Sequence, residues 1–211
     1  MSPALFTAEE LAPTIDREAL SQWFTPAPLA RRMAAWVGFD ALRATPRILE
    51  PSAGRGALIK AICVFAGAPH ITAHELDPRH ATYLREVYGQ HNTRIVEGDY
   101  LAAPAPAELY DLALMNPPYE GGLDGRFLEK AMDESERVIA LIRLVALSGQ
   151  ERYRRVWSRV GEGLEFGMEG LAILSARPDF GGEGQAKSDF AVVKLMRGHG
   201  GPAQKTLVEW W

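Results

Sequence analysis

The residues best placed to do chemistry are Asn116 and Tyr119, which two prolines separate and which follow the apolar residues 112–114. Such an apolar run is typical of a buried strand, and two prolines cannot continue a sheet, so a stiff turn is expected. Ligands of open α/β sheets bind beyond the carboxyl ends of strands. Asn116 and the carbonyl of Pro117 could accept hydrogen bonds from one amino group, while Tyr119 offers a flat face. The segment suits a planar base or amide that carries an amine. The alternative is a rigid strand exit, because Asn-Pro commonly opens turns.

A second group of candidate residues forms the glycine-bearing turn within residues 48–58, where a strand-like run leads into a helix-like one. Gly54 and Gly56 let the backbone turn tightly and approach a ligand closely. The turn lacks the third glycine of the dinucleotide pattern and is not a Gly-Lys-Ser/Thr phosphate loop, which disfavours a pyrophosphate ligand. Two glycines also close strand-helix corners that bind nothing, so this turn is weak evidence by itself.

Acidic residues end three successive predicted strands, at Glu50, Glu75 and Asp99. Glu75 lies 21 residues beyond Gly54, where an acidic side chain contacts ribose hydroxyls in nucleotide-binding α/β units. Asp99 is placed to accept a hydrogen bond from an adenine amine. Each acid alone is more often a surface or capping residue, but with Asn116 ending the fourth strand they predict one pocket. A nucleoside with a cationic tail and no phosphate fits this acidic set.

The charge of the chain is unevenly divided. The formal net charge of -4 is unexpected for a protein that binds phosphates. Residues 1–136 carry 12 basic against 19 acidic side chains, whereas residues 137–211 carry 11 against 8. The densest basic stretch interleaves arginines with Tyr153 and Trp157, which suits phosphates and bases. A solvated amphipathic helix explains the same stretch equally well. The arginines concerned are Arg152, Arg154, Arg155 and Arg159.

Short β-rich runs alternate with helical stretches, which predicts an α/β fold with a mostly parallel, seven-stranded sheet and helices on both faces. Residues 198–202 resemble a loop that leads to a short tail, whose Trp210 and Trp211 are expected to dock on the body. The predicted strands are residues 47–51, 71–76, 94–99, 111–115, 138–145, 171–175 and 191–196. The predicted helices are residues 28–36, 56–65, 78–88 and 126–135.

Length and composition indicate one globular domain, which we expect over residues 1–197, followed by a tail over residues 198–211. The chain has 211 residues, of which 47% are apolar and 24% charged, as in ordinary soluble domains. Cys63 is the single cysteine, and the histidines have no cysteine partners at zinc-ligand spacing, so no metal is expected. No apolar run is long enough to span a bilayer and no secretory signal opens the sequence, so a cytoplasmic protein is expected.

Together these segments resemble the S-adenosylmethionine-dependent methyltransferases that modify exocyclic amines, and most closely the N6-adenine DNA methyltransferases, including small phage-type enzymes. The resemblance covers residues 20–197. Residues 143–144, 149–152 and 177–180 are similar, more loosely, to segments of the phage-type members. The more specific matches are residues 24–26 with 29–30 to the family's amino-terminal cofactor segment, 50–56 to its glycine loop, 75–78 and 98–99 to its ribose and adenine contacts, and 116–119 to its catalytic motif.

The resemblance implies a Rossmann-like class I methyltransferase fold, S-adenosyl-L-methionine as cofactor and DNA as partner. The reaction it implies is methylation of the N6 amine of adenine after base flipping. The implied catalytic residues are Asn116, Pro117, Pro118 and Tyr119. The implied cofactor contacts are Phe24, Thr25, Pro26, Glu50, Pro51, Ala53, Gly54, Gly56, Glu75, Leu76, Asp99, Tyr100 and Asn116. The implied contacts to the target base or DNA are Tyr119, Phe180, Arg152, Arg154 and Arg155.

The order of the segments is that of the subgroup in which target recognition follows the catalytic motif, so small target-recognition elements are expected within residues 146–190. A bacterial or phage-encoded enzyme of the restriction-modification type is implied, and the oligomeric state stays open. Methyltransferases of RNA bases and of protein glutamine amides are alternatives, because those substrates also present a planar amine. The glutamine enzymes usually carry a separate amino-terminal helical domain. A non-catalytic, methyltransferase-like binding subunit is a further alternative.

Overall fold

The computed structural model describes six stretches of the chain, residues 23–41, 46–66, 69–90, 92–180, 188–198 and 205–211. Residues 1–22, part of the predicted target-recognition region and most of the predicted loop at residues 198–202 therefore lie outside the described residues. The predicted strands and helices all fall within them.

A central sheet of eight strands organises the described structure. The strands are β1 (Arg47–Glu50), β2 (His70–Glu75), β3 (Thr93–Glu97), β4 (Leu112–Met115), β5 (Arg137–Arg143), β6 (Phe166–Ile173), β7 (Phe190–Arg197) and β8 (Leu207–Trp210). Their order across the sheet is β3-β2-β1-β4-β5-β7-β6-β8. Strands β1 to β5 pair in parallel, β7 runs antiparallel to β5 and β6, and β8 is parallel to β6. The predicted mostly parallel α/β sheet is confirmed, although it has eight strands rather than seven.

The additional strand, β8, lies in the segment predicted to be a tail. It forms a sheet edge, and its side chains at Leu207, Val208 and Trp210 are exposed, so they lack the alternation of buried residues by which a strand is predicted. The next residue, Trp211, donates its backbone N–H to the carbonyl of Ile173 at 2.8 Å. Its ring packs edge-on against Trp36 at 5.1 Å between centroids. Docking is confirmed for Trp211, whereas Trp210 is 70% exposed.

Helices cover both faces of the sheet, as predicted. They are α1 (Ala27–Trp36), α2 (Ala57–Phe65), α3 (Pro78–Tyr88), α4 (Leu123–Glu134) and the short α5 (Gln150–Arg155). Successive side chains of a strand point to opposite faces. Accordingly Ile48 of β1 packs in one core with α1, α2 and α3, while its neighbour Leu49 packs in a second core with α4. Burial on both faces explains why β4 and residues 138–142 of β5 are continuously apolar.

Candidate active site

One cavity of about 1060 Å³ opens beside the ends of β1 and β4. These two strands are neighbours at the point where the order of the sheet reverses, and open α/β sheets bind ligands at such a switch point. From there the cavity extends along α2 and α3 as far as Lys60 and Tyr88. Nine of the residues predicted from sequence line it, namely Phe24, Thr25, Pro26, Glu50, Ala53, Gly54, Gly56, Asn116 and Phe180.

The glycine turn after β1 is shaped by close contacts that a side chain would block. Gly54 and Gly56 have φ angles of +53° and +78°, in the left-handed region. A Cβ atom on Gly56 would lie 2.7 Å from the ring of Tyr88, and one on Gly54 would lie 3.1 Å from the ring of Phe24. The amide of Ala53 donates to the carbonyl of His74 at 2.9 Å. The turn is thus fixed against the end of β2 with its backbone facing the cavity.

Glu50 is a buried acid at the base of the cavity, with 1% exposure. Its Oε1 accepts from the backbone N–H of Ser52 at 3.2 Å, and its Oε2 is buried without a hydrogen-bond partner in the described structure. Burial raises the pKa of Glu50 to about 8, and the nearby carboxylate of Glu75 adds to the rise. A buried acceptor oxygen that lacks a partner fits a cationic ligand, because such a ligand would stabilise the ionised form.

Glu75 is buried as well, but it braces the glycine turn and does not line the cavity. Its Oε2 accepts from the backbone N–H of Gly54 at 2.7 Å, and its Oε1 accepts from that of Asp77 at 2.8 Å. Desolvation by burial raises the pKa of Glu75, although both hydrogen bonds oppose the rise. A carboxylate has about four acceptor sites, so these two bonds leave capacity for a ligand. The ribose contact of Glu75 stays a prediction.

The remaining predicted cofactor residues after β2 and β3 do not line the cavity. Leu76 is 61% exposed. Asp99 is exposed and caps a 3₁₀ turn by accepting from the N–H of Leu101 at 2.9 Å. Tyr100 points into the core on the face of α4, where its hydroxyl donates to Oε2 of Glu134 at 2.9 Å. A motif match places a residue near a strand end, but it does not tell which face of the sheet receives the side chain.

The segment before α1 lies over both the glycine turn and Asn116. The guanidinium of Arg55 lies over the ring of Phe24, with its Cζ 4.5 Å from the ring centroid. Nδ2 of Asn116 donates to the carbonyl of Trp23 at 2.7 Å and to the hydroxyl of Thr25 at 3.0 Å. The predicted catalytic amide is therefore hydrogen-bonded to the predicted cofactor segment at Thr25 and to the residue just before that segment, Trp23.

Tyr119 is packed inside the protein and does not face the cavity. It is 4% exposed, and its ring meets that of Phe190 edge-on at 5.3 Å. Its hydroxyl donates to Oδ1 of Asn116. Burial, followed by the charge of Asp124, raises the pKa of Tyr119 well above its ordinary value. Pro117 is buried and Pro118 half-buried beside it.

An aromatic row continues from Tyr119 to the mouth of the cavity. Phe190 packs edge-on against Phe180 at 5.3 Å, and Phe180 against Trp23 at 5.4 Å. Phe180 and Trp23 line the cavity, and Trp23 is 39% exposed. Sequence reasoning missed Trp23, for which the one available signal was an aromatic residue directly before Phe24.

Several solved structures resemble the chain in fold. A Listeria monocytogenes protein assigned to the class I S-adenosylmethionine-dependent methyltransferases superposes with a TM-score of 0.71 at 13% identity, covering 96% of this chain and 69% of that one. The chain has the class I methyltransferase fold. Further similar structures are a type I restriction-modification methyltransferase subunit from Streptococcus thermophilus (TM-score 0.67, 16% identity, 84% of this chain and 45% of that one) and the 23S rRNA methyltransferase ErmE (0.60, 21%, 87% and 73%).

A sequence relative of this methyltransferase-fold chain is an rRNA adenine N-6-methyltransferase from Streptomyces fradiae. The two are 42% identical over 108 residues, which cover 49% of this chain and 32% of the relative. The match thus spans about a third of the relative's length. No protein-family model matches the chain.

The cavity of this methyltransferase fold fits S-adenosylmethionine, which carries a sulfonium and an ammonium group and no phosphate. The partnerless oxygen of Glu50 offers an acceptor to a cation. Gly54 and Gly56 leave the backbone of the turn open to a ligand. Among the described residues, no group of three or more His, Cys, Asp or Glu side chains is arranged to hold a metal ion.

The predicted nucleic-acid arginines lie outside the cavity, on and after α5. Arg155 contacts Glu129 at 2.9 Å and Glu151 at 3.3 Å, so its charge is compensated within the protein. Arg152 donates to the carbonyl of Ser148 at 3.3 Å. Arg154 is exposed, and its guanidinium meets the side-chain oxygen of Gln150 at 3.5 Å.

None of the helices in the described stretches has the length and apolar character needed to cross a membrane.

Proposed function

We propose that the chain transfers the methyl group of S-adenosylmethionine to the exocyclic N6 amine of adenine in DNA. The observation that carries the proposal is the position of Asn116, which ends β4 and lines the same cavity as Glu50 and Gly54. An amide acceptor for the amine and an acidic, glycine-walled site for a cationic donor thus share one space. The class I methyltransferase fold supports this reading of the cavity.

The donor needs little covalent help from the protein. The sulfonium of S-adenosylmethionine supplies an electrophilic methyl group, so the protein has to align the amine with it and exclude water. In this proposal Glu50 and the glycine turn hold the donor. The backbone of the turn is fixed by two hydrogen bonds. The N–H of Ala53 donates to the carbonyl of His74 in β2, and the N–H of Gly54 donates to the carboxylate of Glu75.

Asn116 acts on the adenine amine. The lone pair of that amine is delocalised into the purine ring. An amide oxygen has two acceptor sites, of which the hydroxyl of Tyr119 uses one. The second site and the carbonyl of Pro117 accept hydrogen bonds from the two amine N–H groups, so the lone pair localises toward the methyl group. As the N–CH3 bond forms, the S–CH3 bond breaks, S-adenosylhomocysteine leaves as a neutral thioether, and the proton lost from N6 passes to solvent on product release. Dipoles that are already in place stabilise such a transition state without reorganisation.

A base inside a duplex cannot reach this cavity, so the target adenine has to leave the stack. Extrusion costs a few kcal/mol, and stacking on an aromatic side chain returns about 1 to 3 kcal/mol. Phe180 and Trp23 line the cavity, and of the two Trp23 is the more exposed, at 39% against 6%. Tyr119 is buried and does not line the cavity, so its role in this proposal is to orient Asn116 and not to stack on the base.

DNA as the substrate is supported by the resemblance of residues 24–26 and 116–119 to N6-adenine DNA methyltransferases. It is also supported by the likeness to a restriction-modification methyltransferase subunit. Ribosomal RNA is the second candidate. It is favoured by the 42% identity over 108 residues to an rRNA adenine N-6-methyltransferase and by the likeness to the 23S rRNA methyltransferase ErmE. Both substrates present the same planar amine to Asn116.

The deciding experiment is methyl transfer from radiolabelled S-adenosylmethionine to a panel of acceptors. The panel contains duplex DNA from a host without adenine methylation, the same DNA as single strands, purified ribosomal RNA and a glutamine-containing protein extract. Nucleosides released by digestion are then separated by mass spectrometry. We expect N6-methyldeoxyadenosine. Detection of N6-methyladenosine from RNA would identify RNA as the substrate in place of DNA. Label in protein alone would overturn the proposal.

A further inference from the structure

The backbone of the Asn-Pro-Pro-Tyr turn is tied down at both ends. The carbonyl of Asn116 accepts from the hydroxyl of Ser52 at 2.9 Å. At the other end, the carbonyl of Tyr119 accepts from Nη2 of Arg143 at 2.6 Å. The two prolines between them have fixed φ angles and no N–H. The two hydrogen bonds therefore set the direction of the Pro117 carbonyl, one of the two acceptors proposed for the amine.

Arg143 is itself held in place by a second residue. It ends β5, and Asp124 lies in the first turn of α4. Oδ2 of Asp124 is 3.0 Å from Nη2 and 3.3 Å from Nε of Arg143. Oδ1 accepts from the N–H of Gly125 at 3.0 Å, and the Asp124 side chain has no exposure. Both carboxylate oxygens are bonded, so the guanidinium is aimed at the turn by a charge-assisted contact of defined geometry.

The location of this ion pair argues for a role beyond stability. Buried ion pairs are weak evidence for stability, because apolar replacements are often neutral or better. Here the guanidinium bonds the backbone of the predicted catalytic turn, and its Cζ lies 5.7 Å from the centroid of the Tyr119 ring. One side chain thus contacts both the backbone and the ring of the residue that orients Asn116.

We propose that Arg143, held by Asp124, is the positioning residue that fixes the Asn-Pro-Pro-Tyr turn for methyl transfer. The inference rests on the proposed function and adds a residue to it. Arg143 does not line the cavity, so it acts through Tyr119 and Asn116. Displacing reacting groups by about 1 Å costs on the order of 10²-fold in rate.

Turnover is the first test, with duplex DNA or ribosomal RNA as the acceptor. Arg143→Met removes both sets of contacts and should lower kcat by on the order of 10²-fold, with the Kd for S-adenosylmethionine unchanged in calorimetry. Arg143→Lys should recover part of kcat, because an ammonium still bonds the Tyr119 carbonyl. Arg85→Met is the matched control, since it removes an exposed ion pair with Glu97. Wild-type kcat in Arg143→Met would overturn the inference.

A second variant separates positioning from folding. Arg143→Met leaves the Asp124 carboxylate buried without its partner, which destabilises the fold. In the double variant Arg143→Met, Asp124→Asn the buried charge is gone. We expect its unfolding midpoint to recover while its kcat stays low. Recovery of kcat together with the midpoint would show a purely structural role and overturn the inference.

A readout without turnover separates this inference from the proposed function. Tyrosine nitration by tetranitromethane, mapped by peptide mass spectrometry, reports access to each ring. In Arg143→Met, nitration of Tyr119 should rise on the order of tenfold through local opening. Tyr100, which is buried in the other core, should not change. Equal rises at both tyrosines, or none, would overturn the inference. A wild-type chain that transfers no methyl group would overturn the proposed function alone.

Discussion

The hydroxyl of Tyr119 donates a hydrogen bond to Oδ1 of Asn116, so the two polar residues of the Asn-Pro-Pro-Tyr turn are bonded to each other. Nδ2 of the same amide is bonded to Trp23 and Thr25. The amide is therefore oriented from both sides, with one acceptor site of Oδ1 left over. In this arrangement Tyr119 orients the amide, and the rings of Trp23 and Phe180, which continue its aromatic row, line the cavity.

Tyr119→Phe tests that orientation. The phenylalanine ring keeps its packing against Phe190, and Trp23 and Thr25 still hold the amide. Loss of one hydrogen bond of about 0.5 to 1.5 kcal/mol should lower kcat by up to roughly tenfold, with S-adenosylmethionine binding unchanged. Tyr119→Ala should in addition lower the free energy of unfolding by about 3 to 5 kcal/mol, because it empties part of the aromatic row. Single-turnover kinetics and urea denaturation measure both effects. Unchanged kcat in Tyr119→Phe would remove the hydroxyl from the reaction.

Asn116→Ala tests the acceptor itself. Removal of a prepositioned group that stabilises the transition state typically costs on the order of 10² to 10³-fold in kcat. Binding of S-adenosylmethionine should survive, because Glu50 and the glycine turn are untouched. Arg85→Met is the control, since it removes an exposed ion pair with Glu97 that lies outside the cavity. Turnover in Asn116→Ala equal to that of the control would show that the amide is dispensable.

The sequence was sufficient to predict the elements that carry the site. The apolar pair Ile48-Leu49 of β1 and the continuously apolar run of β4 indicate buried strands. Glu50 and Asn116 mark where those strands end, because polar residues at these ends face a ligand. The eighth strand escaped prediction because its side chains at Leu207 and Val208 are exposed, so only its backbone pairing with β6 reveals it.

Which way each side chain faces could not be read from the sequence. Tyr100 follows β3 directly, yet its ring enters the core beside Glu134. Arg155 belongs to a basic stretch, yet Glu129 from a different helix contacts it. Both outcomes depend on residues that are distant along the chain, and a local pattern holds no information about such partners.

Glu50 should give the free energy of unfolding a distinct pH dependence. Burial raises its pKa from the ordinary 4.5 to about 8, so the folded protein binds the proton more tightly than the unfolded chain does. The associated stability is complete below pH 4.5 and is lost as the pH rises toward 8, by at most roughly 1.4 kcal/mol per pH unit. Glu50→Gln should remove this fall in urea denaturation across that range. Glu97→Gln, in an exposed ion pair with Arg85, is the control. An identical fall in Glu50→Gln would assign it to other groups.

The same shift predicts how the donor binds. A cationic ligand favours ionised Glu50, so binding should release a proton and tighten with pH by up to about tenfold per unit below pH 8. Calorimetry in two buffers of different ionisation enthalpy measures the proton release directly. Glu50→Gln should bind S-adenosylmethionine more weakly and release no proton. Proton release that persists in this variant would place the coupling elsewhere.

Gly56→Ala tests the closeness of the glycine turn to α3. An alanine at a positive φ costs about 1 to 2 kcal/mol by itself. At Gly56 the new Cβ would also lie 2.7 Å from the ring of Tyr88 and 2.9 Å from Leu84, and such overpacking costs about 1 to 3 kcal/mol more. Gly38→Ala is the matched control, because Gly38 has a φ of +71° and no atom of the described residues lies within 4 Å of its Cβ position. If urea denaturation shows the same loss of unfolding free energy in Gly56→Ala and Gly38→Ala, the ring of Tyr88 moves aside without cost.

Arg154 and Arg155 should differ as nucleic-acid contacts, although they are adjacent in the basic stretch. Arg154 is exposed and has no carboxylate within salt-bridge distance among the described residues, so it is available to a phosphate. Arg155 is already paired with Glu129 and Glu151. Arg154→Ala should therefore weaken binding to a fluorescent DNA duplex and reduce the slope of log K against log salt by about 1. Arg155→Ala should leave that slope unchanged and lower the free energy of unfolding by about 0.2 to 1 kcal/mol.

The outcome of this comparison decides between the two interpretations of the basic stretch. A phosphate contact releases a counterion when the complex forms, so each lost contact appears in the salt dependence. A solvated helix face has no such signature, since its charges stay with water and ions whether or not DNA is bound. Unchanged affinity and slope in both variants would show that residues 152–159 are a solvated surface that does not bind nucleic acid. The nucleic acid would then have to be held by the side chains around Trp23 and Phe180 at the mouth of the cavity.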